Sequence, residues 1–253
     1  VLSLVEGLDN LQLGSFQGGV TINARIGEPY GAIFGTDYTY IDDQPVVDAT
    51  NGQYVKTATS DHVIGDANPD WIAGFNNRIS YRNWALSFLI DMQRGGDIWS
   101  LDLYYGLATG LYEETAFIND LGNPVRNSLA DGGGFINPGV NADGTPNQTR
   151  QAADLFGAWG YRRGLPDKAF VYDAGYIKLR QLSLTYSLPQ KVLGRTPLTG
   201  ASLSIIGSNL WIIDKGLPHA DPESGLGAGN LQGYSTGSLP TTRDIGINLK
   251  LQF

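Results

Sequence analysis

The sequence predicts an all-β chain contributing strands to an antiparallel transmembrane β-barrel, and three observations carry that prediction. The last strand, from Arg243 to Phe253, alternates strictly: Ile245, Ile247, Leu249, Leu251 and Phe253 fall on one side, Asp244, Gly246, Asn248, Lys250 and Gln252 on the other. Two further apolar rows, in 71–81 and 84–92, are separated only by Arg82 and Asn83 and exchange parity across them, as a two-residue hairpin requires. The connections between predicted strands alternate long and short along the chain. Taken alone, the last strand suits a soluble β-sandwich, with a second layer over its apolar side, as well as it suits a bilayer. A bilayer is crossed by about 9–11 tilted residues with apolar side chains toward lipid and polar ones toward a lumen.

Taken in order, residues 1–19 carry no period. Val20, Ile22, Ala24 and Ile26 open the first predicted strand against Thr21, Asn23 and Arg25, and Gly27-Glu28-Pro29 closes it. An aromatic-rich strand follows from Tyr30 to Ile41, with Tyr30, Ala32, Phe34, Tyr38 and Tyr40 in one parity. Residues 42–70 read as a loop with a short hairpin around Tyr54.

In the 71–92 hairpin, Tyr81 is expected opposite Trp84, Ile79 opposite Leu86 and Phe75 opposite Ile90. The other face then carries Asn76, Arg78, Ser80, Ser87, Asp91 and Gln93, with Ala85 and Leu89 as apolar exceptions. Trp71 lies roughly 33 Å from the turn along an extended strand. At a barrel tilt that is about 23 Å of height, so the aromatics at both ends match the edges of an apolar band.

Residues 95–170 are rich in Gly, Asn and Asp and read as a long surface loop. From Tyr176 to Leu188 the apolar parity slips: Ile177 and Leu179 are odd, Leu182, Leu184, Tyr186 and Leu188 even, and a β-bulge at Arg180-Gln181 restores one outward face. A modest connection (189–200), a strand from Ala201 to Ile213 and a second long loop (214–242) lead to the last strand. A sandwich gives no reason for connections to alternate in length, whereas a barrel with short turns at one end and long loops at the other does. Seven predicted strands are too few to close, so the chain reads as part of a larger barrel.

Composition narrows the function classes. Glycine, at 34 residues, suits turns and loops. The net charge of −8, with 17 scattered basic residues, offers no phosphate-binding stripe, and nucleic acid is not an expected partner. Without cysteine there are no disulfides, thiolate nucleophiles or thiolate metal sites. Apolar runs such as Leu210-Trp211-Ile212-Ile213 fall far short of the roughly 18 residues of a membrane helix. The chain opens without a methionine or a charged-then-apolar leader, so a signal peptide is expected to have been removed or never to have belonged to this piece.

Candidate chemistry is sparse. His62 and His219 stand in separate loops without ligand-like spacing, and nothing pairs an acid with a base, so no enzymatic activity is expected. Gly225-Leu226-Gly227-Ala228-Gly229 is followed by no helical pattern and reads as loop. No cofactor is expected. Asn141-Ala142-Asp143-Gly144 and His219-Ala220-Asp221-Pro222-Glu223 offer oxygen ligands to calcium, although surface-turn chemistry explains both more simply. Trp99, Tyr104, Tyr105, Trp159 and Tyr161 are surface-loop candidates for stacking on substrate or covering a partner, or for packing the loop on itself. Arg78, Asp91 and Lys250 are the candidates to face a lumen.

An ordered set of motifs carries a resemblance. Asn68-Pro69-Asp70-Trp71-Ile72, Gly95-Gly96-Asp97-Ile98, Tyr176-Ile177-Lys178-Leu179-Arg180, Leu182-Ser183-Leu184-Thr185-Tyr186, Gly207-Ser208-Asn209-Leu210-Trp211, Asp221-Pro222-Glu223 and the terminal Phe253 together resemble the C-terminal part of SusC/RagA-type TonB-dependent outer-membrane transporters. The resemblance implies a barrel of about 22 strands around an N-terminal plug that this chain lacks. It also implies coupling to TonB through that missing region, import of oligosaccharides or peptides, and a SusD-like surface lipoprotein as lid. Phe253, closing an amphipathic strand, resembles the signal read by the barrel-assembly machinery. The competing expectation is a secreted β-sandwich that binds glycan.

Overall fold

The computed structural model describes residues 1–160, 163–194, 196–225, 232–235 and 237–253. Two units emerge: one gathers Val1–Asn68, Gly96–Tyr172 and Glu223–Ser238, the other Pro69–Gly95, Asp173–Pro222 and Leu239–Phe253. No helix among the described residues is long and apolar enough to cross a membrane.

The second unit is built on a five-stranded antiparallel sheet. Its strands are β1 (Trp71–Tyr81), β2 (Trp84–Arg94), β3 (Tyr176–Ser187), β4 (Gly200–Lys215) and β5 (Asp244–Gln252), each beside its predecessor. The hairpin has the expected register, with Tyr81 opposite Trp84, Ile79 opposite Leu86 and Phe75 opposite Ile90. Arg82 reverses the chain at φ 52, an uncommon conformation for a residue with a side chain. Asn83 fastens this turn to β3: its Nδ2 donates to the Ser187 carbonyl at 2.8 Å, and its carbonyl accepts from the Ser187 N–H at 2.8 Å.

Period two carries one apolar row across all five strands, through Ile79, Leu86, Leu184, Ile205 and Ile247. The next row is Tyr81, Trp84, Tyr186, Leu203 and Leu249. Ile247 and Leu249 are 77% and 62% exposed, so no second layer covers this face among the described residues. The opposite face runs Ser80, Ala85, Thr185, Ser204 and Asn248, with Thr185 and Ser204 hydroxyls 2.8 Å apart. The phase slip is resolved where the sequence places it: pairing shifts between Leu179 and Gln181 against both β2 and β4. Leu179 thereby stays in the apolar register with Ile90 and Trp211. A second shift against β4, between Ile177 and Lys178, has no forewarning in the apolar pattern.

Two predicted wall strands belong elsewhere. Thr21–Arg25 and Tyr30–Gly35 lie in the first unit, inside a four-stranded antiparallel sheet ordered Asn10–Ser15, Thr21–Arg25, Tyr30–Gly35, His62–Asp66. Consecutive residues are buried in both, Ile22-Asn23-Ala24 and Ala32-Ile33-Phe34, so protein covers both faces and neither presents a free apolar side. The wall therefore shows five strands rather than seven. The second of these strands stops at Gly35, where a Cβ would lie 2.7 Å from Ile64 Cδ1 and 2.8 Å from Asp167 Cβ. Beyond it Asp42 and Asp43, at φ 47 and 62, turn a separate short hairpin.

The 95–170 stretch is likewise a folded body rather than a loop. Helix α1 (Leu101–Thr109) starts at Ser100, whose Oγ accepts from the Leu103 N–H at 3.3 Å, and ends on Gly110 in the left-handed conformation. Trp99, Tyr104 and Phe170 pack with Val20, Ile22, Ile33, Ile64 and Tyr234 into one core. Tyr234–Ser235 pairs in parallel with Trp99 and Ser100, so part of the 214–242 stretch is also ordered into this unit.

Candidate functional site on the polar face of the sheet

The bulge that keeps the apolar row continuous also frees Arg180 from strand pairing. Its Nη2 closes an ion pair on Asp91, its Nε donates to Asp91 Oδ2 at 3.2 Å, and its Nη1 donates to Asn209 Oδ1 at 3.1 Å. Tyr176 Oη donates to the same Asp91 oxygen at 3.4 Å. Asn209, itself at φ 50, passes the network to the Thr242 carbonyl through Nδ2 at 3.2 Å.

Two residues from Arg180 along β3, Lys178 meets Asp221 with Nζ and Oδ1 2.5 Å apart and both side chains 2% exposed. The other Asp221 oxygen accepts the Thr241 N–H at 3.1 Å and hydroxyl at 2.6 Å. Lys215 Nζ adds a bond to the Ala220 carbonyl at 2.7 Å. Both ends of the 214–242 stretch are thus tied to the wall sheet through one carboxylate. Toward the turns the face changes character: Ser87 and Ser183 hydroxyls lie 3.1 Å apart, followed by the Thr185–Ser204 pair. Such a surface offers donors and acceptors together, with these ion pairs internally compensated, and can guide a polar molecule without fixing one.

The expected lumen candidates do not form one cluster. Asp91 belongs to the network above, whereas Arg78 stands exposed opposite Ser87, and Lys250 exposed opposite Ser202 nearer the turns. Phe253 follows the last paired residue of β5 and is exposed.

Two surface candidates require correction. Trp99 and Tyr104 are 0% and 5% exposed and lie in the core of the first unit. The Trp99 ring stacks on Tyr234 at 5.2 Å while its Nε1 donates to the Asp167 carbonyl at 3.1 Å. With the apolar body buried and the polar atom satisfied, the indole is core material. Tyr105 remains 41% exposed, its hydroxyl donating to Gln17 Oε1 at 3.2 Å. Trp159 is half-buried, stacked on Phe135 at 5.2 Å with the Arg126 guanidinium 4.9 Å from its ring. Tyr161 lies outside the described residues, as do residues 226–229 of the glycine cluster.

Asp221, a calcium candidate by sequence, spends its two oxygens on Lys178 and Thr241 instead. Asp143 Oδ1 accepts from the Thr145 hydroxyl at 2.6 Å and N–H at 3.0 Å, which holds its carboxyl below the ordinary range. His62 and His219 belong to different units.

Sequence reasoning missed Arg180 and Lys178 as members of the polar-face networks. The available signal was two basic side chains at a phase slip in an otherwise uncharged strand. It also missed a tyrosine cluster in the first unit, where the Tyr38 ring meets Tyr54 at 5.0 Å and Tyr40 at 6.1 Å. Burial pushes the Tyr38 hydroxyl well above its ordinary value, and that of Tyr172 up to about 12.

No protein-family model matches the chain. Among curated proteins, it is 30% identical over 197 residues to TonB-dependent receptor P3 of Formosa agariphila, a match covering 76% of the chain and 17% of that receptor. It is 27% identical over 214 residues to TonB-dependent receptor P26 of the same organism, covering 80% of the chain and 19% of the relative. The chain thus spans less than a fifth of the length of these relatives. Among solved structures, the RagAB peptide importer in its open-open state matches 99% of the chain and 25% of the neighbour's chain at 17% identity and TM-score 0.63. The closed-closed state matches the same shares at 16% identity and TM-score 0.63. These relatives are receptors and an importer rather than enzymes. The expected antiparallel barrel-type β fold agrees with the structural matches, and the chain belongs to the TonB-dependent receptors.

Proposed function

We propose that this chain is the C-terminal wall, with attached surface structure, of an outer-membrane, TonB-dependent importer of oligosaccharides or peptides. The single observation that carries the proposal is the uncovered apolar row running across five strands, backed on the other face by hydroxyls, amides and paired charges. Hydrocarbon is the medium in which such a row is stable, and an aqueous lumen suits the reverse side. The secreted sandwich needs a layer over Ile247 and Leu249, and their exposure argues against it.

In this reading Arg78, Asp91 and Lys250 face the lumen, Tyr105 and Trp159, together with Tyr161 outside the described residues, are the candidates for contact with substrate or with a SusD-like lipoprotein, and Phe253 marks the strand for the barrel-assembly machinery. TonB engages the plug region outside this chain. Energised uptake tests the proposal: cells carrying the full-length receptor should accumulate labelled oligosaccharide or peptide only with TonB present, and the receptor should migrate as a heat-modifiable barrel. Uptake without TonB, or a receptor found in the soluble fraction, would overturn it.

A further inference from the structure

Charge is segregated along the strands of the wall sheet. None of the chain's 25 acidic residues lies within 71–90, 179–213 or 245–253, although the net charge is −8. These segments contain both short turns and the turn-side parts of all five strands. Their basic residues are Arg78, Arg82, Arg180, Lys191, Arg195 and Lys250, of which Arg180 is paired with Asp91 and Arg195 lies outside the described residues. The carboxylates Asp70, Asp91, Asp173, Asp214, Asp221 and Asp244 all sit toward the other end. Avoidance of charge inside a membrane explains acid-free strands, but not acid-free turns that keep their cations.

Geometry adds a second observation. The Arg82 guanidinium lies 5.2 Å from the Tyr81 ring centroid, and Tyr81 belongs to the apolar face at 67% exposure. Trp84 and Tyr186, in the same row, stand 4.7 Å apart. Lys191 is exposed in the short helix Gln190–Leu193 that links β3 to β4. Neither Arg82 nor Lys191 has a carboxylate partner among the described residues. A cation over an exposed aromatic ring at a strand end, with a second exposed cation on the next short connection, matches a membrane interface, where rings sit at headgroup depth and cations meet phosphate.

We infer that the turn end of this sheet docks on the phosphates of an anionic phospholipid leaflet, with Arg82 and Lys191 as the phosphate contacts and Tyr81, Trp84 and Tyr186 at headgroup depth. The inference rests on the wall reading above, with the short turns on the periplasmic side. Arg82 supplies a planar, always-charged fork and Lys191 a mobile point charge, so the contact selects for headgroup charge rather than for one headgroup shape.

The test uses the full-length receptor in neutral detergent, titrated with dioleoylphosphatidylglycerol or dioleoylphosphatidylcholine and read by native mass spectrometry. The wild type should bind phosphatidylglycerol more tightly than phosphatidylcholine. Arg82→Gln and Lys191→Gln should each weaken phosphatidylglycerol about fivefold, the size of one surface cation's contribution, and leave phosphatidylcholine unchanged. The charge-conserving pair Arg82→Lys with Lys191→Arg should keep the preference, as should Arg243→Gln at the opposite end. Equal binding of the two lipids by the wild type denies the headgroup-charge preference, and undiminished phosphatidylglycerol binding in the double glutamine variant removes these cations from the lipid contact; either overturns the inference. Heat-modifiable migration of the same samples separates the two readings. A heat-modifiable receptor without lipid preference sinks only this inference, and a receptor that is not heat-modifiable sinks the wall reading with it.

Discussion

Lys178 and Asp221, 43 residues apart, form a fully enclosed ion pair whose carboxylate also receives Thr241 from the far end of the same long connection. One side chain on β3 therefore holds both ends of the 214–242 stretch. Removing either partner takes from the other, still buried, its enclosed counter-charge. Asp221→Asn or Lys178→Met should cost about 3–5 kcal/mol in unfolding of the full-length receptor, while replacing both with apolar residues of similar volume should be far milder. Limited proteolysis within 214–242, faster in the single variants than in the double one, checks the same relationship locally.

Adjacent residues of β5 lie on opposite faces of the sheet, and the proposed function sets those faces in different media. Leu249→Arg should cost about 2–4 kcal/mol of folding into vesicles if placed near mid-bilayer, whereas Asn248→Arg, beside Ser204 on the polar side, should cost far less. Equal losses in a vesicle-folding titration would show the faces to be wrongly assigned.

Trp99 and Tyr105 were equivalent as sequence candidates and are opposites in the structure. Trp99→Ala should destabilise the first unit by about 3–5 kcal/mol, seen as early loss of near-ultraviolet dichroism on heating. Tyr105→Ala should leave the melting profile close to wild type, so any loss of ligand or partner binding in that variant reports contact rather than folding.

The Arg150 side chain grips Asp120 through Nη1 and Nη2 at 2.8 and 2.7 Å, and this bond holds the Asp120 carboxyl below its ordinary 3.8. Because the folded value is depressed, the contact is fully present above the ordinary carboxylate range and is lost as pH falls through the lowered folded value. Carbon-13 carboxyl titration should place Asp120 below free aspartate in the wild type and return it to the ordinary range in Arg150→Ala.

How much of this was legible follows from which forces act locally. The 71–92 hairpin was readable to the individual pair, because a two-residue turn and a period-two pattern leave one register. The bulge at Arg180 was readable because Leu179 and Leu182 must share a face. Thr21–Arg25 misled because alternation is also visible in a strand whose second face is covered by distant residues, here including Trp99 and Phe170 of the same core. The body formed by 96–172 was hidden for a related reason. Its core assembles residues from Val20 to Tyr234, and no window of sequence shows that Trp99 will find Asp167 for its indole hydrogen. The Lys178–Asp221 pair joins two familiar motifs, yet composition alone makes each a solvated charge.

The two-residue link at Arg82-Asn83 sets an unequal tolerance for innovation. One inserted residue there would move every side chain on one flank of the hairpin to the other face of the sheet. The excursions that leave from the far end, after Arg94 and after Lys215, run for tens of residues and return to unchanged partners. The sheet can therefore keep its pairing while the segments inserted at that end vary in length and content.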